Sequence, residues 1–421
     1  MTPSQTAILH YSAPPIVGGV EAVIQAHAET FLANGYPVTV IAGRGEVTAL
    51  PPGTGLIQIP EIDSQHALIV EMSGLLEQGQ VPPLFEQLVD TLVEVLAPIL
   101  DQFESVLVHN VFTKHFNLPL TVALHRLLDQ GKVSNCIAWC HDFTWTSPSS
   151  RSRVHPGYPW DLLRTYRPDL SYVVVSGHRQ RELAELLGCG LDRIRVVYNG
   201  VDPAVLLGLS APGEALVQRL GLFSCDLLLL MPVRVTRAKN IEYALRTVAA
   251  LKDHGCRPQL IVTGPPDPHD PASIAYFRQL QALRRDLGVD QEMRFVFEEG
   301  DDPEQGLIIE TEVVADLFRV SDLMFMPSHR EGFAMPVLEA GLVGIPVIST
   351  EVPAAVEIGG QDVFFFEQDE DPASLAERIL AWAEGSHIHQ LRRRVRQHYT
   401  WQAIFSRDIK PLLPDAGRSH D

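Results

Sequence analysis

The sequence predicts a chain of two α/β domains, each with a parallel β-sheet at its centre. Short apolar runs typical of buried parallel strands alternate with segments of helical periodicity along both halves. With 421 residues the chain is too long for one ordinary core, which suggests two domains of about 200 residues each. An Asn-Gly turn occurs at Asn199 and Gly200, and we place the boundary just after it. The predicted domains are 1–205 and 206–395, followed by a final helical segment, 396–421.

The predicted elements follow one another in β-α-β order. In the first half the strands are 6–11, 36–42, 105–110, 136–140 and 170–176, and the helices are 21–34, 84–100, 118–128 and 179–187. In the second half the strands are 226–233, 259–264, 293–299, 322–327 and 345–349, and the helices are 241–251, 274–287, 313–319, 336–341, 371–384 and 398–412. Residues 45–79 are poorly periodic, and Pro51-Pro52-Gly53 predicts a loop within them.

The composition is that of a globular protein with an acidic surface. Hydrophobic residues make up 46% of the chain and charged residues 20%, and the formal net charge is −19. Such a surface repels nucleic acid and anionic lipid, so we expect no nucleic-acid partner. The one basic cluster, Leu391–Arg396, is interpreted as a solvated helix face.

Cysteine usage and hydropathy indicate a reducing compartment. The five cysteines include no C-x2-C pair and are interpreted as free buried thiols. No apolar run approaches the ~20 residues of a membrane helix, and the N-terminus lacks a signal-peptide pattern. We therefore expect a cytoplasmic protein with no integral membrane contact.

One stretch in the second half predicts an anion site. The apolar run Asp322–Pro327 is typical of a buried strand, and Pro336 is suited to the first turn of the helix that follows. Free backbone N–H groups of residues 332–335 crowd the start of that helix, where the helix dipole adds partial positive charge. This arrangement favours a bound phosphate.

Two carboxylates flank the predicted phosphate site. Glu331 lies in the loop and Glu339 in the first turns of the helix, eight positions apart. Carboxylates repel phosphate but accept hydrogen bonds from hydroxyl groups on either side of it. A ligand with hydroxyl groups on both sides of a diphosphate is a sugar nucleotide.

The stretch from Glu331 to Glu339 resembles the E-x7-E motif of retaining glycosyltransferases with the GT-B fold, specifically family 4 (glycosyl transferases group 1). The resemblance implies two Rossmann-like domains whose parallel sheets face each other across a cleft. The first would be the acceptor side and the second the donor side, with the last helix crossing back to the first. It also implies that Glu331 binds the donor sugar and Glu339 the ribose. The diphosphate would be bound by the intervening backbone at Gly332, Phe333, Ala334, Met335, Pro336 and Val337.

Two basic residues follow the first strand of the second half. Arg234 and Lys239 match the strand–R-x4-K pattern of the same family. Together they would neutralise a diphosphate and stabilise the charge left when a nucleoside diphosphate departs. Gly264, at the end of the next strand, is assigned to the same donor site. The alternative is a surface loop with ordinary charges.

Three candidates lie in the first half. Gly18 and Gly19 resemble the family's GG-hydrophobic loop that meets the donor phosphate, although an ordinary tight turn explains them as well. His141 ends a predicted strand, where α/β sheets bind ligands, and the resemblance places it near the donor sugar. A loop histidine packed on Trp145 is the alternative. The final candidate is an acceptor loop whose basic side chains would meet an anionic acceptor: Arg151, Arg153 and His155.

The expected function is transfer of a hexose, glucose or mannose, from a UDP- or GDP-sugar to a hydroxyl group of a small soluble acceptor, with retention. No metal and no further cofactor are expected, because the acidic run Asp369–Asp371 is a late loop. Asp142 is the one candidate for a carboxylate on the opposite sugar face. The alternatives are a sugar-nucleotide epimerase and a non-catalytic sugar-nucleotide-binding protein. A nicotinamide dehydrogenase is disfavoured because the G-x-G-x-x-G fingerprint is missing. The nucleobase, the sugar, the acceptor, the linkage and the oligomeric state stay open.

Overall fold

The protein forms two compact units, which we describe separately. The structure is a computed structural model that describes residues 5–267, 272–300 and 306–414. One unit comprises Met1–Gly200 together with Trp401–Asp421, and the other comprises Val201–Thr400. The returning segment therefore begins at Trp401 and not at residue 396. The last part of the predicted segment, 415–421, lies outside the described residues.

The first unit is built on a seven-stranded parallel sheet in the order β3-β2-β1-β4-β5-β6-β7. Its strands are β1 Thr6–Leu9, β2 Val38–Ala42, β3 Gly55–Gln58, β4 Ser105–His109, β5 Asn135–Cys140, β6 Ser171–Val174 and β7 Ile194–Val196. Its helices up to β7 are α1 Gly19–Ala33, α2 Ala67–Leu76, α3 Leu84–Leu100, α4 Leu118–Asp129 and α5 Gly177–Leu187. The strand order reverses between β1 and β4, and such a switch point is where α/β sheets bind ligands.

The second unit contains a six-stranded parallel sheet in the order β10-β9-β8-β11-β12-β13. Its strands are β8 Leu227–Met231, β9 Pro258–Val262, β10 Met293–Phe295, β11 Leu323–Met326, β12 Val347–Thr350 and β13 Phe364–Phe366. Its helices are α6 Pro203–Leu207, α7 Ala211–Arg219, α8 Ile241–Asp253, α9 Ser273–Asp286, α10 Thr311–Val320, α11 Met335–Val343, α12 Pro353–Gly359, α13 Pro372–Gly385 and α14 His387–His398. Here the switch point lies between β8 and β11.

Both sheets bury their two faces, as parallel sheets must. In the first unit, alternate strand residues join different hydrophobic clusters: Leu9 and Val108 pack on one face, Ile8 and Leu107 on the other. The second sheet is flanked by two clusters in the same way. The predicted fold class, two Rossmann-like α/β domains with parallel sheets, is confirmed.

The chain closes the first unit with helix α15, Trp401–Ile404, which continues as a π-helical turn, Phe405–Ile409. This segment packs on α1, where the rings of Phe31 and Phe405 lie 5.3 Å apart. Gly200 allows the approach, because a Cβ atom there would lie 2.7 Å from the Trp401 ring. No helix among the described residues combines the length and apolar composition that a membrane crossing requires.

The sequence missed elements that lack an apolar stripe. Strand β3 is an edge strand whose residues are only half-buried or exposed, and α2 exposes Leu68 and Val70, so residues 45–79 show no clear period. Strand β13 is three residues long, and α14 is strongly polar. The prediction of a strand over 293–299 is corrected, since β10 ends at Phe295 and a 3-10 turn, Val296–Glu299, follows.

The basic cluster in α14 is not a solvated helix face. Arg396 donates two hydrogen bonds to Asp322, at 3.0 and 2.9 Å, and Arg393 lies 2.8 Å from Asp226. Arg392 donates to the carbonyl oxygen of Ser321 at 2.9 Å. Because Asp226 and Asp322 precede β8 and β11, these arginines tie α14 to the amino ends of the two central strands.

The carboxyl group of Asp322 is stabilised in its charged form. Burial by itself raises its pKa, but the neighbouring His389, the charge and hydrogen bonds of Arg396 and the hydrogen bond from the Leu228 amide outweigh burial and lower the pKa to about 2. Because the pKa of Asp322 is lower in the folded chain than in the unfolded chain, its carboxylate stabilises the fold at pH values above about 4, the unfolded pKa. This stabilisation is lost as the pH falls from about 4 towards 2. A shift of this size corresponds to about 2 kcal/mol.

We predict that Asp322→Asn lowers the free energy of unfolding of the second unit by about 3 kcal/mol, because Arg396 is left buried without a counter-charge. The urea midpoint at pH 7, followed by hydrogen exchange of the β8 and β11 amides, measures the loss. The difference from the wild type should shrink below pH 4. Asp362→Asn, at an exposed loop position, is the control. Equal midpoints for Asp322→Asn and the wild type would contradict the assignment.

Candidate active site

Three loops meet at the carboxyl ends of β9, β8 and β11 in the second unit. The Val235 amide donates to the Pro265 carbonyl at 3.0 Å, which joins the loops after β8 and β9. The His329 amide donates to the Ala238 carbonyl at 2.8 Å, which joins the loops after β11 and β8. These bonds bring four predicted donor-site residues to one edge of the sheet: Arg234, Lys239, Gly264 and Glu331.

Gly264 is required by the close approach of two of these loops. Its amide donates to the Val233 carbonyl at 3.0 Å. A Cβ atom at this position would lie 2.6 Å from the Val233 carbonyl oxygen and 2.8 Å from the Arg234 Cα. Glycine therefore sets the position of the backbone from which the Arg234 side chain projects.

Lys239 and Glu331 form an ion pair across the switch point. The Lys239 ammonium group lies 2.7 Å from Oε1 and 2.8 Å from Oε2 of Glu331. The Glu331 side chain is only 8% exposed and that of Lys239 is 21% exposed. Lys239 ends a 3-10 turn, Arg237–Lys239, after β8, while Glu331 follows β11. The pair thus links β8 and β11, the two strands between which the strand order reverses.

The start of α11 presents unpaired backbone donors beside this ion pair. The helix begins at Met335, one residue before the predicted Pro336, and Ala334 precedes it in a left-handed conformation with φ of 63°. No described residue accepts a hydrogen bond from the amides of Gly332, Phe333 or Ala334. A left-handed alanine is strained by roughly 1 kcal/mol, and such strain is commonly retained at functional sites. The helix start has the properties of an anion site.

Arg234 and Glu339 are exposed and have no ion-pair partner among the described residues. Arg234 follows β8, at the same sheet edge as Lys239, and Glu339 lies in the second turn of α11. Unpaired charges of opposite sign are therefore present in the loop after β8 and in α11. Both side chains are free to bind a ligand.

In the first unit, Gly18 and Gly19 lie at the start of α1. A Cβ atom at Gly18 would lie 2.1 Å from the carboxylate oxygen Oε2 of Glu21, whereas a Cβ atom at Gly19 would meet nothing within 4 Å. Ser12 donates to Oε1 of Glu21 at 2.6 Å. The absence of a side chain at Gly18 thus leaves space for the Glu21 carboxylate beside the start of α1.

His141 belongs to a cluster of histidines at the switch point of the first sheet. Its Nε2 lies 3.1 Å from Nδ1 of His109, and its amide donates to Oδ1 of Asn110 at 2.8 Å. Nδ1 of His10 lies 3.0 Å from the His109 carbonyl oxygen, and His27 packs on the other side of His109 with ring centroids 5.4 Å apart. These contacts place the three strand ends of β1, β4 and β5 around one buried imidazole.

Burial keeps these imidazoles neutral. It lowers the pKa of His141 to about 4 and that of His27 to about 3, and it lowers the pKa of His10 and, strongly, that of His109. For His27, His109 and His141 a neighbouring histidine lowers the pKa further, since two imidazolium charges would repel. At His10 the hydrogen bond to the His109 carbonyl opposes the effect of burial. At neutral pH the cluster offers hydrogen-bonding nitrogens without a positive charge.

The side chains of the predicted acceptor loop already have partners in the chain. The Arg151 guanidinium lies over the Trp145 ring, 4.2 Å from its centroid, and Arg153 lies 3.3 Å from a carboxylate oxygen of Glu77. Nε2 of His155 donates to the Glu77 carbonyl at 3.0 Å. The three residues share one region around Glu77 and Trp145, with His155 serving as a structural contact.

Lys114 is a further basic residue that sequence reasoning missed. It is buried, its ammonium group lies 4.8 Å from the centre of the Phe116 ring, and it has no ion-pair partner within 4.0 Å among the described residues. Burial lowers the pKa of Lys114, and Asp142 opposes the shift. His10 and His109 were also missed. Each is the next-to-last residue of a predicted strand, and that position was the available signal.

The fold and these sites define an α/β protein that offers an anion site and flanking carboxylates at one switch point. Residues 17–205 match the family model described as Glycosyltransferase Family 4, and residues 214–399 match the model described as Glycosyl transferases group 1. Together the two models account for most of the chain. The chain therefore belongs to the family 4 glycosyltransferases, which confirms the predicted family.

The chain is similar to known proteins over different lengths. It is 24% identical over 411 residues to an uncharacterized glycosyltransferase of Methanocaldococcus jannaschii, covering 94% of this chain and 95% of that protein. It is 33% identical over 200 residues to the D-inositol 3-phosphate glycosyltransferase of Streptomyces scabiei, covering 45% of this chain and 40% of the relative. A solved glycosyltransferase structure from Rickettsia africae is 15% identical, with 98% of each chain covered and a TM-score of 0.37.

We predict that Gly264→Ala lowers the free energy of unfolding of the second unit by about 1–3 kcal/mol, because its Cβ atom collides with backbone. Gly332→Ala is the matched control, since its Cβ atom would meet nothing within 4 Å and its stability should stay within about 1 kcal/mol of the wild type. Urea midpoints measure both effects. A destabilised Gly332→Ala with an unchanged Gly264→Ala would show that the loops are packed differently.

Proposed function

We propose that this glycosyltransferase moves a hexose, glucose or mannose, from a UDP- or GDP-sugar to a hydroxyl group of a small acceptor, with retention at the anomeric carbon. The observation that carries the proposal is the Lys239–Glu331 pair beside the unpaired amides that open α11, at the switch point of the second sheet. A diphosphate fits the amides, and the flanking carboxylates fit hydroxyl groups.

Lys239 is able to serve both Glu331 and the diphosphate. An ammonium group has three N–H donors, and two of them are directed to the Glu331 carboxylate, at 2.7 and 2.8 Å. The third remains for a phosphate oxygen. Arg234 is exposed and has no ion-pair partner in the described ranges, and it supplies a second cation with planar geometry suited to phosphate. Together they stabilise the charge that develops on the departing nucleoside diphosphate.

The two glutamates would bind hydroxyl groups on different parts of the donor, Glu331 those of the hexose and Glu339 those of the ribose. Glu331 is held in one orientation by Lys239, as the residue that positions a hexose during reaction must be. Glu339 lies further along α11 and is exposed, which suits the more peripheral ribose. Backbone groups of residues 332–337 lie between the two in sequence, where the diphosphate connects hexose and ribose.

Retention without a covalent intermediate is supported by the state of Asp142. This carboxylate accepts a hydrogen bond from Arg179 at 2.8 Å and is half exposed, so it is paired and not poised as a nucleophile. We propose that the leaving phosphate takes the acceptor proton and that His141 contacts the transferred sugar. Gly18 and Gly19 would approach the donor phosphate with their backbone.

An anionic acceptor is supported by the basic residues of the first unit. Arg151, Arg153 and Lys114 lie in one region, and within the described part of the chain Lys114 has no counter-charge at ion-pair distance. The name of the Streptomyces scabiei relative specifies a phosphorylated polyol. We propose an acceptor of this chemical class, a small sugar or polyol phosphate, in the cytoplasm.

No metal ion is part of the proposed mechanism. The acidic run Asp369–Asp371 has structural roles: Asp371 accepts from the Ser374 amide at the start of α13, and Glu370 accepts from Arg378. The two cations and the backbone amides supply the positive charge that a divalent ion supplies elsewhere.

The first test is nucleotide binding. Arg234→Ala should weaken binding of UDP or GDP about 10- to 100-fold, because a charge-assisted hydrogen bond is lost. Arg237→Ala, on the same loop but stacked over Tyr276, is the matched control and should bind as the wild type does. Glu339→Ala should weaken the ribonucleotide but not its 2′,3′-dideoxy analogue, with Glu377→Ala as control. Calorimetry gives the affinities. Equal affinities for Arg234→Ala and the wild type would refute the donor site.

The second test is transfer itself. UDP- and GDP-hexoses incubated with sugar and polyol phosphates should give a glycoside with the anomeric configuration of the donor, identified by proton NMR. Lys239→Ala and Glu331→Gln should each lower kcat about 100-fold, while a chelator leaves kcat unchanged. An inverted product, or variants that turn over at the wild-type rate, would overturn the mechanism.

A further inference from the structure

The histidine cluster of the first sheet has a hydrogen-bond direction that the structure allows us to assign. Nδ1 of His10 lies 3.0 Å from the carbonyl oxygen of His109, and a carbonyl oxygen only accepts. The proton of neutral His10 is therefore on Nδ1. The next contact joins Nδ1 of His109 to Nε2 of His141 at 3.1 Å, where one nitrogen must donate and the other accept.

The second nitrogen of His109 decides between the two directions. Nε2 of His109 is buried and has no hydrogen-bond partner among the described residues. If the proton were on Nε2, a buried N–H group would be left unpaired, and orphaned buried donors are rare in native proteins. If the proton is on Nδ1, the buried atom is only an unused acceptor. His109 therefore donates through Nδ1, and Nε2 of His141 accepts.

This direction fixes the tautomer of His141. Since Nε2 of His141 accepts, the proton of the neutral ring is on Nδ1. Nδ1 has no protein partner among the described residues and is absent from the buried unpaired atoms, so it reaches solvent. The free face of His141 is thus an N–H donor and not a lone pair.

We propose that His109 is a positioning residue, which holds His141 with its Nδ1–H group directed to a hydroxyl or ring oxygen of the transferred sugar. The inference rests on the proposed function, in which His141 contacts that sugar. His109 itself touches no substrate, because its side chain is fully buried. His141 then serves as a hydrogen-bond donor in the site and does not remove the acceptor proton through Nδ1.

Packing around His109 gives the pair one geometry. The rings of His109 and His141 are stacked, with centroids 5.4 Å apart and planes 21° from parallel, and His109 is stacked on Trp139 in turn, at 5.7 Å and 24°. The backbone of His141 is held by Asn110, whose left-handed φ of 62° turns its side chain to the loop. Neither imidazole can rotate without disturbing the other.

The direct test is NMR of the full chain labelled with 15N-histidine, without ligand, at neutral pH. Two-bond 1H–15N correlations distinguish a protonated nitrogen from one with a lone pair, and His141→Gln assigns the signals. We expect the proton of His141 on Nδ1 in the wild type. In His109→Leu it should move to Nε2, the nitrogen that free imidazole side chains prefer to protonate. A wild-type His141 protonated on Nε2 would overturn the proposal.

Kinetics provide the second readout. His109→Leu should lower kcat for the nucleotide sugar about tenfold and leave the affinity for the nucleoside diphosphate unchanged, because the phosphates are proposed to bind Arg234, Lys239 and the start of α11. His109→Asn, which keeps a hydrogen-bonding group near the position of Nδ1, should recover most of the rate. His125→Leu, which replaces a buried histidine of α4, is the control for loss of an imidazole from the core. Equal rate losses in His109→Leu and His125→Leu, without rescue by asparagine, would reduce His109 to a structural residue.

The two proposals fail separately. If the chain binds no nucleotide sugar, the proposed function falls, while the tautomer of His141 is still measured by NMR. If transfer proceeds as proposed but the tautomer does not depend on His109, only the positioning role is wrong. If His109→Leu does not fold, the wild-type spectrum and His109→Asn decide the case.

Discussion

The ion pair between Lys239 and Glu331 is the interaction on which the proposed donor site depends. It joins the loops after β8 and β11. Among the described strands of the second sheet, these two neighbours form the switch point, where the strand order reverses. Because Glu331 is mostly buried, its carboxylate is tolerated only with a partner of this kind. Lys239 in turn is held where one N–H group stays available to a ligand. The pair therefore connects the two loops and also presents a preorganised binding group.

The two switch points use opposite electrostatic means. In the second unit, charges are retained close together, and the backbone amides at the start of α11 add positive potential. In the first unit, burial keeps the imidazoles of His10, His27, His109 and His141 uncharged. The nitrogen that carries the proton on each ring then determines the direction of its hydrogen bonds. A charged site suits recognition of a diphosphate. A neutral, directional site suits a sugar, whose hydroxyl groups differ in geometry and not in charge.

How far the sequence led can be judged from particular residues. The buried strands and the helix that contains Pro336 could be predicted from local pattern. Arg234, Lys239 and the two glutamates could be selected as candidates once the family motif was named. The direct contact of Lys239 with Glu331 joins residues 92 positions apart and needs the β8–β11 adjacency, which no local pattern contains. His10 and His109 each lie next to the end of a predicted strand, yet only the pairing of β1 with β4 brings them together. The arginines of α14 looked solvated because their partners, Asp226 and Asp322, lie in distant loops.

The acidic surface makes the local construction of the anion site necessary. With a formal net charge of −19, the chain as a whole repels a nucleotide sugar, so attraction must act at short range. Fixed amide dipoles and two cations at the end of β8 provide this attraction locally, although the net charge of the chain stays negative. Glu331 limits the attraction further, because it neutralises part of the Lys239 charge and repels a free phosphate. In the proposed donor site, a ligand gains the full interaction only if its hydroxyl groups donate to Glu331 and Glu339 while its phosphates reach the amides and cations. Selectivity for a sugar nucleotide over a simple phosphate then follows from the pairing of opposite charges within one loop.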